Sequence, residues 1–129
     1  MPSVRLIQIT DCHLFSQPST AFSHGNPYDK LKRSIKKIEE SEEGVDAIFL
    51  TGDLSHDQSE RSYHHLYTFF EPLNVDVFWI IGNHDHPEIA SRVLKRAPFR
   101  SDDRVQFPGW DIIFLNAAPV DEAGNAVIS

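Results

Sequence analysis

The hydrophobic residues of this chain follow two periods, which predict β-strands alternating with α-helices. Three short apolar runs predict strands, namely Val4–Ile9, Val45–Leu50 and Val75–Ile81. The second and third runs are apolar at most positions, as is typical of strands buried on both faces of a parallel sheet. Further along, Val105–Phe107 and Trp110–Leu115 flank a Pro-Gly pair, which predicts a hairpin closed by a type II turn.

Three other segments are predicted to be helical: Lys30–Ser41, Ser59–Phe70 and Pro87–Lys95. The first two carry apolar residues at helical spacing, and the third begins with a proline, which the first turn of a helix tolerates. Either Asn26 or Asp29 supplies a start signal for the first helix. The order strand, helix, strand, helix, strand, helix, hairpin predicts an α/β fold with a mostly parallel sheet.

Composition and charge narrow the classes of protein that remain. The 129 residues suit a single domain, 1–129, with an ordinary hydrophobic content of 40%. The net charge of −7 disfavours broad binding to nucleic acids or to anionic membranes. No apolar run approaches the ~20 residues of a membrane span, and the N-terminus lacks a signal-peptide pattern. The single cysteine, Cys12, cannot form an internal disulfide, so we expect a cytoplasmic protein.

Polar residues follow the predicted strands at the points where the strands end. Thr10–His13 follows the first strand, Thr51–Asp53 the second and Gly82–Asp85 the third, while Asn116 follows the hairpin. Ligands of open α/β sheets bind beyond the carboxyl ends of the strands, and neighbouring parallel strands lie about 4.8 Å apart. We therefore expect these side chains to converge on one rim of the sheet.

The residue types at this rim indicate a site for divalent metal ions. Carboxylates, an amide oxygen and imidazoles together suit Mn, Fe or Zn, and two carboxylates in one pocket would repel each other without a cation. Gly52 and Gly82 stand immediately before predicted ligands, where a glycine allows a sharp turn and leaves room for a substrate.

Three short motifs in this order resemble those of the calcineurin-like metallophosphoesterase family. They are the D-x-H of Asp11–His13, the G-D of Gly52–Asp53 and the G-N-H-D of Gly82–Asp85. The surrounding segments ITDCHLF and LTGDLSHDQS resemble most the bacterial class III cyclic-nucleotide phosphodiesterase branch. The resemblance runs from about Val4 to Asn116, and it implies a metallo-dependent phosphatase-like αββα sandwich, of which this chain supplies mainly the first sheet and its helices.

The resemblance also implies a set of ligands for two divalent ions, Mn, Fe or Zn. Asp11 and His13 would bind the first ion, Asp53 would bridge both, and the side-chain oxygen of Asn83 would bind the second. The implied reaction is hydrolysis of a phosphate ester by a hydroxide that the pair of metal ions activates.

Two further residues receive catalytic roles from the resemblance. His84 would face the phosphate and stabilise or protonate the leaving oxygen, and Asp85 would hold the ring of His84. Cys12 is interpreted as a buried core residue, and the other histidines as surface or packing residues, with His56 a minor candidate for substrate contact.

The chain departs from the family pattern in one respect, because no histidine follows His86. The family's later histidines would supply three more ligands, so the second metal site is incomplete. Three explanations stay open: a domain truncated on its C-terminal side, completion by another copy or another chain, or a shortened relative without activity. We favour truncation combined with a homo-oligomer or a partner chain that covers the open sheet, since exposed apolar faces of that size are rare in monomers.

Three functions therefore compete. The first is a metal-dependent phosphoesterase acting on a small phosphodiester, such as a 3',5'-cyclic nucleotide. The second is a non-catalytic, truncated relative that serves as a metal-binding or assembly module. The third is a plain flavodoxin-like α/β binding domain in which the motifs are coincidental. Metal binding and metal-stimulated hydrolysis separate the three.

Overall fold

A computed structural model of the protein describes residues 3–41 and 44–115. Four parallel strands form its main sheet in the order β1-β2-β3-β4. They are β1 (Leu6–Ile9), β2 (Ala47–Thr51), β3 (Asp76–Ile80) and β4 (Phe99–Arg100). The first three confirm the predicted strands, and the parallel sheet flanked by helices confirms the predicted α/β class, consistent with the first half of a metallophosphatase sandwich.

The fourth strand of the parallel sheet was not predicted. It has only two residues, which pair with Val77 and Phe78, and two residues are too few to show a period. The predicted hairpin is present as β5 (Arg104–Phe107) and β6 (Trp110–Ile113), with Gly109 at a φ of 83° as a type II turn requires. The hairpin forms its own two-stranded antiparallel sheet, so it does not extend the parallel one. Asn116 lies outside the described residues.

The three predicted helices are present with small shifts in their ends. They are α1 (Pro27–Glu40), α2 (Glu60–Phe70) and α3 (Pro87–Leu94). Helix α1 begins three residues earlier than predicted because the side chain of Asn26 accepts a hydrogen bond from the backbone N–H of Asp29. Ser59 caps α2 in the same way.

Helix α3 has a less usual cap, His86, whose ring accepts a hydrogen bond from the backbone N–H of Ile89. The capping role of His86 was not predicted from the sequence, and its ring is half-buried against the first turn of the helix. This cap fixes the end of the loop that begins at the carboxyl end of β3.

The three helices pack on one face of the sheet and form the core with it. Ile48 and Val77 are neighbours in register on this face, as are Leu50 and Trp79. Apolar residues of all three helices cover them: Leu31, Ile35, Tyr63, Leu66, Phe70, Ala90, Val93 and Leu94. Burial of this face is what holds the strand ends in a fixed arrangement.

The opposite face of the sheet is covered differently. Phe49 and Phe78 lie side by side there, and the ring of Phe114, just beyond the hairpin, packs on both with centroid distances of 5.3 and 5.6 Å. Nearby, Trp110 and Ile113 each expose more than half of their surface. Within residues 3–41 and 44–115, no helix has the length and apolar content needed to cross a lipid bilayer.

Candidate metal centre and active site

The loops that follow β1 and β2 run side by side beyond the ends of their strands. The backbone N–H of Asp11 donates to the carbonyl of Gly52 at 3.1 Å, and that of His13 donates to the carbonyl of Asp53 at 2.9 Å. Parallel pairing thus continues into the loops and brings the first two motifs together. This is the convergence that the sequence predicts, and it is achieved by main-chain hydrogen bonds.

Asp11, His13 and Asp53 gather into a group that fits a metal ion. Their ligand atoms all lie within 4.8 Å of one another. The Nε2 atom of His13 is 3.4 Å from Oδ1 of Asp11 and 3.8 Å from Oδ2 of Asp53. The side chains are 56% (Asp11), 23% (His13) and 17% (Asp53) exposed, so a cation can enter from solvent. Two carboxylates and an imidazole suit a divalent transition metal.

The backbone at these three residues is held in an uncommon conformation. Asp11, His13 and Asp53 have positive φ values of 58°, 47° and 49°. They make up three of the five non-glycine residues with positive φ in the described part of the chain. Such conformations cost free energy and concentrate at functional sites, where the surrounding structure imposes them.

Asp53 approaches position 82 so closely that only glycine fits there. A Cβ atom at this position would lie 2.2 Å from Oδ1 and 2.5 Å from the backbone nitrogen of Asp53. The space at Gly82 is therefore filled by Asp53, a predicted metal ligand, whereas the sequence predicts room for a substrate there. Gly52 has a φ of 104°, which supports the sharp turn predicted there.

The third motif contacts the second through backbone groups. The N–H of His84 donates to Oδ1 of Asp53 at 3.0 Å, which fixes one oxygen of that carboxylate. Asn83 lies between Gly82 and His84, both of which contact Asp53, so it is close to the metal-binding group. That Asn83 binds the second ion stays a prediction.

Asp85 has a different role from the predicted one. Its fully buried carboxylate accepts four hydrogen bonds, from the N–H groups of Leu54, Ser55 and Gly82 and from the hydroxyl of Tyr63. The prediction that Asp85 holds the ring of His84 is wrong for the described structure, because both carboxylate oxygens are already used. Burial raises the pKa of Asp85, and the four hydrogen bonds act in the opposite direction. Asp85 thus ties the loops after β2 and β3 to α2.

His56 belongs to the site, although its sequence position makes it only a minor candidate for substrate contact. Its Nδ1 atom is 3.2 Å from Nδ1 of His13, and its ring stacks on that of His84 at 5.3 Å and 20°. Burial and the neighbouring rings of His13 and His84 lower the pKa of His56. The available sequence signal was its position three residues after Asp53, in a loop that follows a strand.

A cavity of about 210 Å³ opens next to the metal-binding group, between β1, α1 and the turn at Phe22–Gly25. Asp11, His13 and Lys30 of α1 are among the residues that line it. His24 stacks on Phe22 with a centroid distance of 5.0 Å and nearly parallel planes. The cavity therefore offers a cation and flat rings close to the candidate metal ligands.

Cys12 lies between two predicted ligands but points into the core, as predicted. It is 8% exposed and belongs to the hydrophobic cluster beneath the sheet end. Burial, with the nearby carboxylates of Asp85 and Asp11, raises the pKa of its thiol to about 12. A buried thiol with a raised pKa is a poor nucleophile near neutral pH.

The fold and the gathered side chains define an α/β protein with a candidate metal site beyond the carboxyl ends of a parallel sheet. The model of the calcineurin-like phosphoesterase family matches residues 4–124, and the chain belongs to this family. The family confirms the class that the three motifs indicate.

Curated relatives point to one branch of that family. The 3',5'-cyclic adenosine monophosphate phosphodiesterase CpdA of Haemophilus influenzae is 34% identical over 117 residues, which are 90% of this chain and 43% of that protein. CpdA of Escherichia coli K12 is 33% identical, covering 88% of this chain and 42% of its own length. The 3',5'-cyclic-nucleotide phosphodiesterase alr5338 of a Nostoc species is 28% identical, covering 92% and 44%. The chain spans less than half the length of these relatives and matches their N-terminal portion.

Proposed function

We propose that this chain carries the first part of the active site of a metal-dependent phosphodiesterase, whose substrate is a small phosphodiester of the 3',5'-cyclic nucleotide type. The observation that carries the proposal is the approach of Asp11, His13 and Asp53 to within 4.8 Å at the ends of neighbouring parallel strands. The relatives named as cyclic-nucleotide phosphodiesterases support the substrate class. We still expect this protein to be located in the reducing cytoplasm.

The residues at the strand ends fit divalent ions such as Mn, Fe or Zn. Asp11, His13 and Asp53 would hold one ion, and Asp53 with Asn83 would contribute to a second. Ions bound there supply positive charge that lowers the pKa of water and neutralises the phosphate. The mixed oxygen and nitrogen donors, with no thiolate among them, favour these metals over softer ions.

The protein's own side chains would orient the ester and handle the leaving group. The backbone N–H of His84 donates to Asp53, and its ring lies 5.2 Å from the ring of His13, which would put its imidazole beside a phosphate bound at the metal-binding group. From there it can donate a proton to the leaving oxygen. Lys30 and the Phe22 and His24 rings line the adjacent cavity and would receive the organic part of the ester.

The test is hydrolysis of bis(4-nitrophenyl) phosphate and of 3',5'-cyclic AMP, with and without added Mn²⁺. We expect Mn²⁺ to stimulate hydrolysis, and Asp53→Asn and His84→Ala to lower kcat/KM by about 10²-fold or more. His64→Ala is the matched control, because His64 is exposed on α2 and is none of the predicted ligands or catalytic residues. Activity that is unchanged in both site variants would overturn the proposal.

A second function is favoured by the distribution of histidines. All seven lie at or before His86, so a second ion would have only Asp53 and Asn83 among the predicted ligands of this chain. The chain would then be a metal-binding or assembly module without turnover. Calorimetric binding of Mn²⁺ that Asp53→Asn abolishes, together with no hydrolysis of either ester, would select this function over the first.

A further inference from the structure

The two ring nitrogens of His13 face different partners. Nε2 faces the carboxylates of Asp11 and Asp53, at 3.4 and 3.8 Å. Nδ1 faces Nδ1 of His56 at 3.2 Å, which is hydrogen-bonding distance. Which of the two nitrogens of His13 carries the hydrogen decides whether Nε2 can bind a cation.

The contact between the two Nδ1 atoms can hold only one hydrogen when both rings are neutral. If His13 donates, its Nε2 keeps a free lone pair aimed at the carboxylates. If His56 donates, Nε2 of His13 carries the hydrogen and cannot bind a metal ion. Only the first arrangement is compatible with His13 as a metal ligand.

The ring of His56 is held in place beside His13. Its backbone N–H donates to the carbonyl of Leu14 at 2.8 Å, which joins its loop to the residue directly after His13. Its ring lies 4.9 Å from the rings of Phe15 and Phe22 and 5.3 Å from that of His84. The ring is therefore held on several sides, and its Nδ1 atom stays aimed at His13.

We propose that His56 is a positioning residue that accepts a hydrogen bond from Nδ1 of His13, and so keeps His13 in the tautomer whose Nε2 can bind a divalent cation. Partners of this kind commonly raise the affinity of a site for its metal by fixing the ligand ring. The inference rests on the proposed function only in assuming that a cation binds at this group, and its test does not depend on hydrolysis.

The first measurement is the affinity for Mn²⁺ at pH 8 by calorimetry. His56→Phe keeps a flat ring among its aromatic neighbours but removes the acceptor, and we expect Mn²⁺ to bind about 10- to 100-fold more weakly. His56→Asn places an amide oxygen near the position of Nδ1, where it can accept the hydrogen bond, and we expect it to restore most of the affinity. His64→Phe, on the exposed side of α2, is the control and should bind like the unmodified protein.

The second measurement is the tautomer of His56, from the nitrogen chemical shifts of its ring in the Zn²⁺-loaded protein. If Nδ1 of His56 accepts from Nδ1 of His13, the hydrogen of His56 must lie on Nε2, and this is the result we expect. Equal Mn²⁺ affinity in His56→Phe, or a protonated Nδ1 on His56 in the loaded protein, overturns the inference. If the unmodified protein binds neither Mn²⁺ nor Zn²⁺, the proposed function and the inference both fail, whereas equal Mn²⁺ affinity in His56→Phe contradicts the inference alone.

Discussion

At the scale of single residues, the candidate site is marked by backbone conformation as much as by side-chain chemistry. Asp11, His13 and Asp53 all have φ in the left-handed region, which side chains other than glycine adopt at a cost. The hydrogen bonds between the two loops impose this conformation, because they set the direction of each N–H and carbonyl group. The free-energy cost of the positive φ values at these predicted ligands is therefore offset by contacts elsewhere in the fold.

This feature predicts an unusual order of stability at Asp11. Replacing Asp11 by Gly relieves the positive φ, whereas replacing it by Ala does not, and both remove the same side chain. We expect Asp11→Gly to have the higher free energy of unfolding, by about 1 kcal/mol, measured by urea denaturation. At an ordinary position glycine is the less stable of the two, so an Asp11→Ala variant that equals or exceeds Asp11→Gly would contradict the prediction.

At the scale of elements, the site depends on how the loops after β2 and β3 are joined. Asp85 ties both loops to α2, and Gly82 lets the second loop lie directly against Asp53. The two loops therefore act as a unit. A change that separates them alters the position of Asp53 even where no ligand is replaced.

Gly82→Ala should separate these loops. The added Cβ would lie 2.2 Å from the Asp53 carboxylate, so either that side chain or the loop must move. We expect the free energy of unfolding to fall by about 1–3 kcal/mol, and binding of Mn²⁺ to weaken with it. Gly44→Ala is the matched control, since a Cβ there meets nothing within 4 Å. Equal stability and Mn²⁺ affinity in the two variants would show that the close approach does not matter.

The sequence predicted the elements that have a clear period and the residues that lie at their ends. It therefore located β1, β2, β3 and the three helices, and it placed Asp11, His13 and Asp53 at one rim. It could not find β4, because two residues carry no pattern. The roles of His56 and Asp85 depend on which loop lies against which, and spacing along the chain does not contain that information.

At the scale of the whole molecule, the sheet is covered unequally on its two faces. Three helices cover one face, while Phe114 covers part of the other, next to the exposed side chains of Trp110, Ile113 and Leu115. Exposed apolar patches of this kind mark contact surfaces in many soluble proteins. We therefore retain the proposal that another copy or another chain covers this face.

Size-exclusion chromatography with light scattering tests that proposal on the 129-residue chain. We expect a species larger than the 14.7 kDa monomer, and we expect Ile113→Lys to shift it toward the monomer because a charge would then lie in the contact. Lys36→Glu, on the exposed face of α1, is the control. A monodisperse monomer across the micromolar range would contradict the expectation.

The main-chain pairing of the loops after β1 and β2 has a consequence for the choice of ion. Because peptide groups set the spacing of the ligand positions, a donor can be exchanged while the scaffold around it is kept. His13→Asp would place a third carboxylate there, at a φ that Asp tolerates, and the donor set would then contain oxygen only. Such a set favours Mg²⁺ and Ca²⁺, so the same peptide framework could serve harder ions after one replacement.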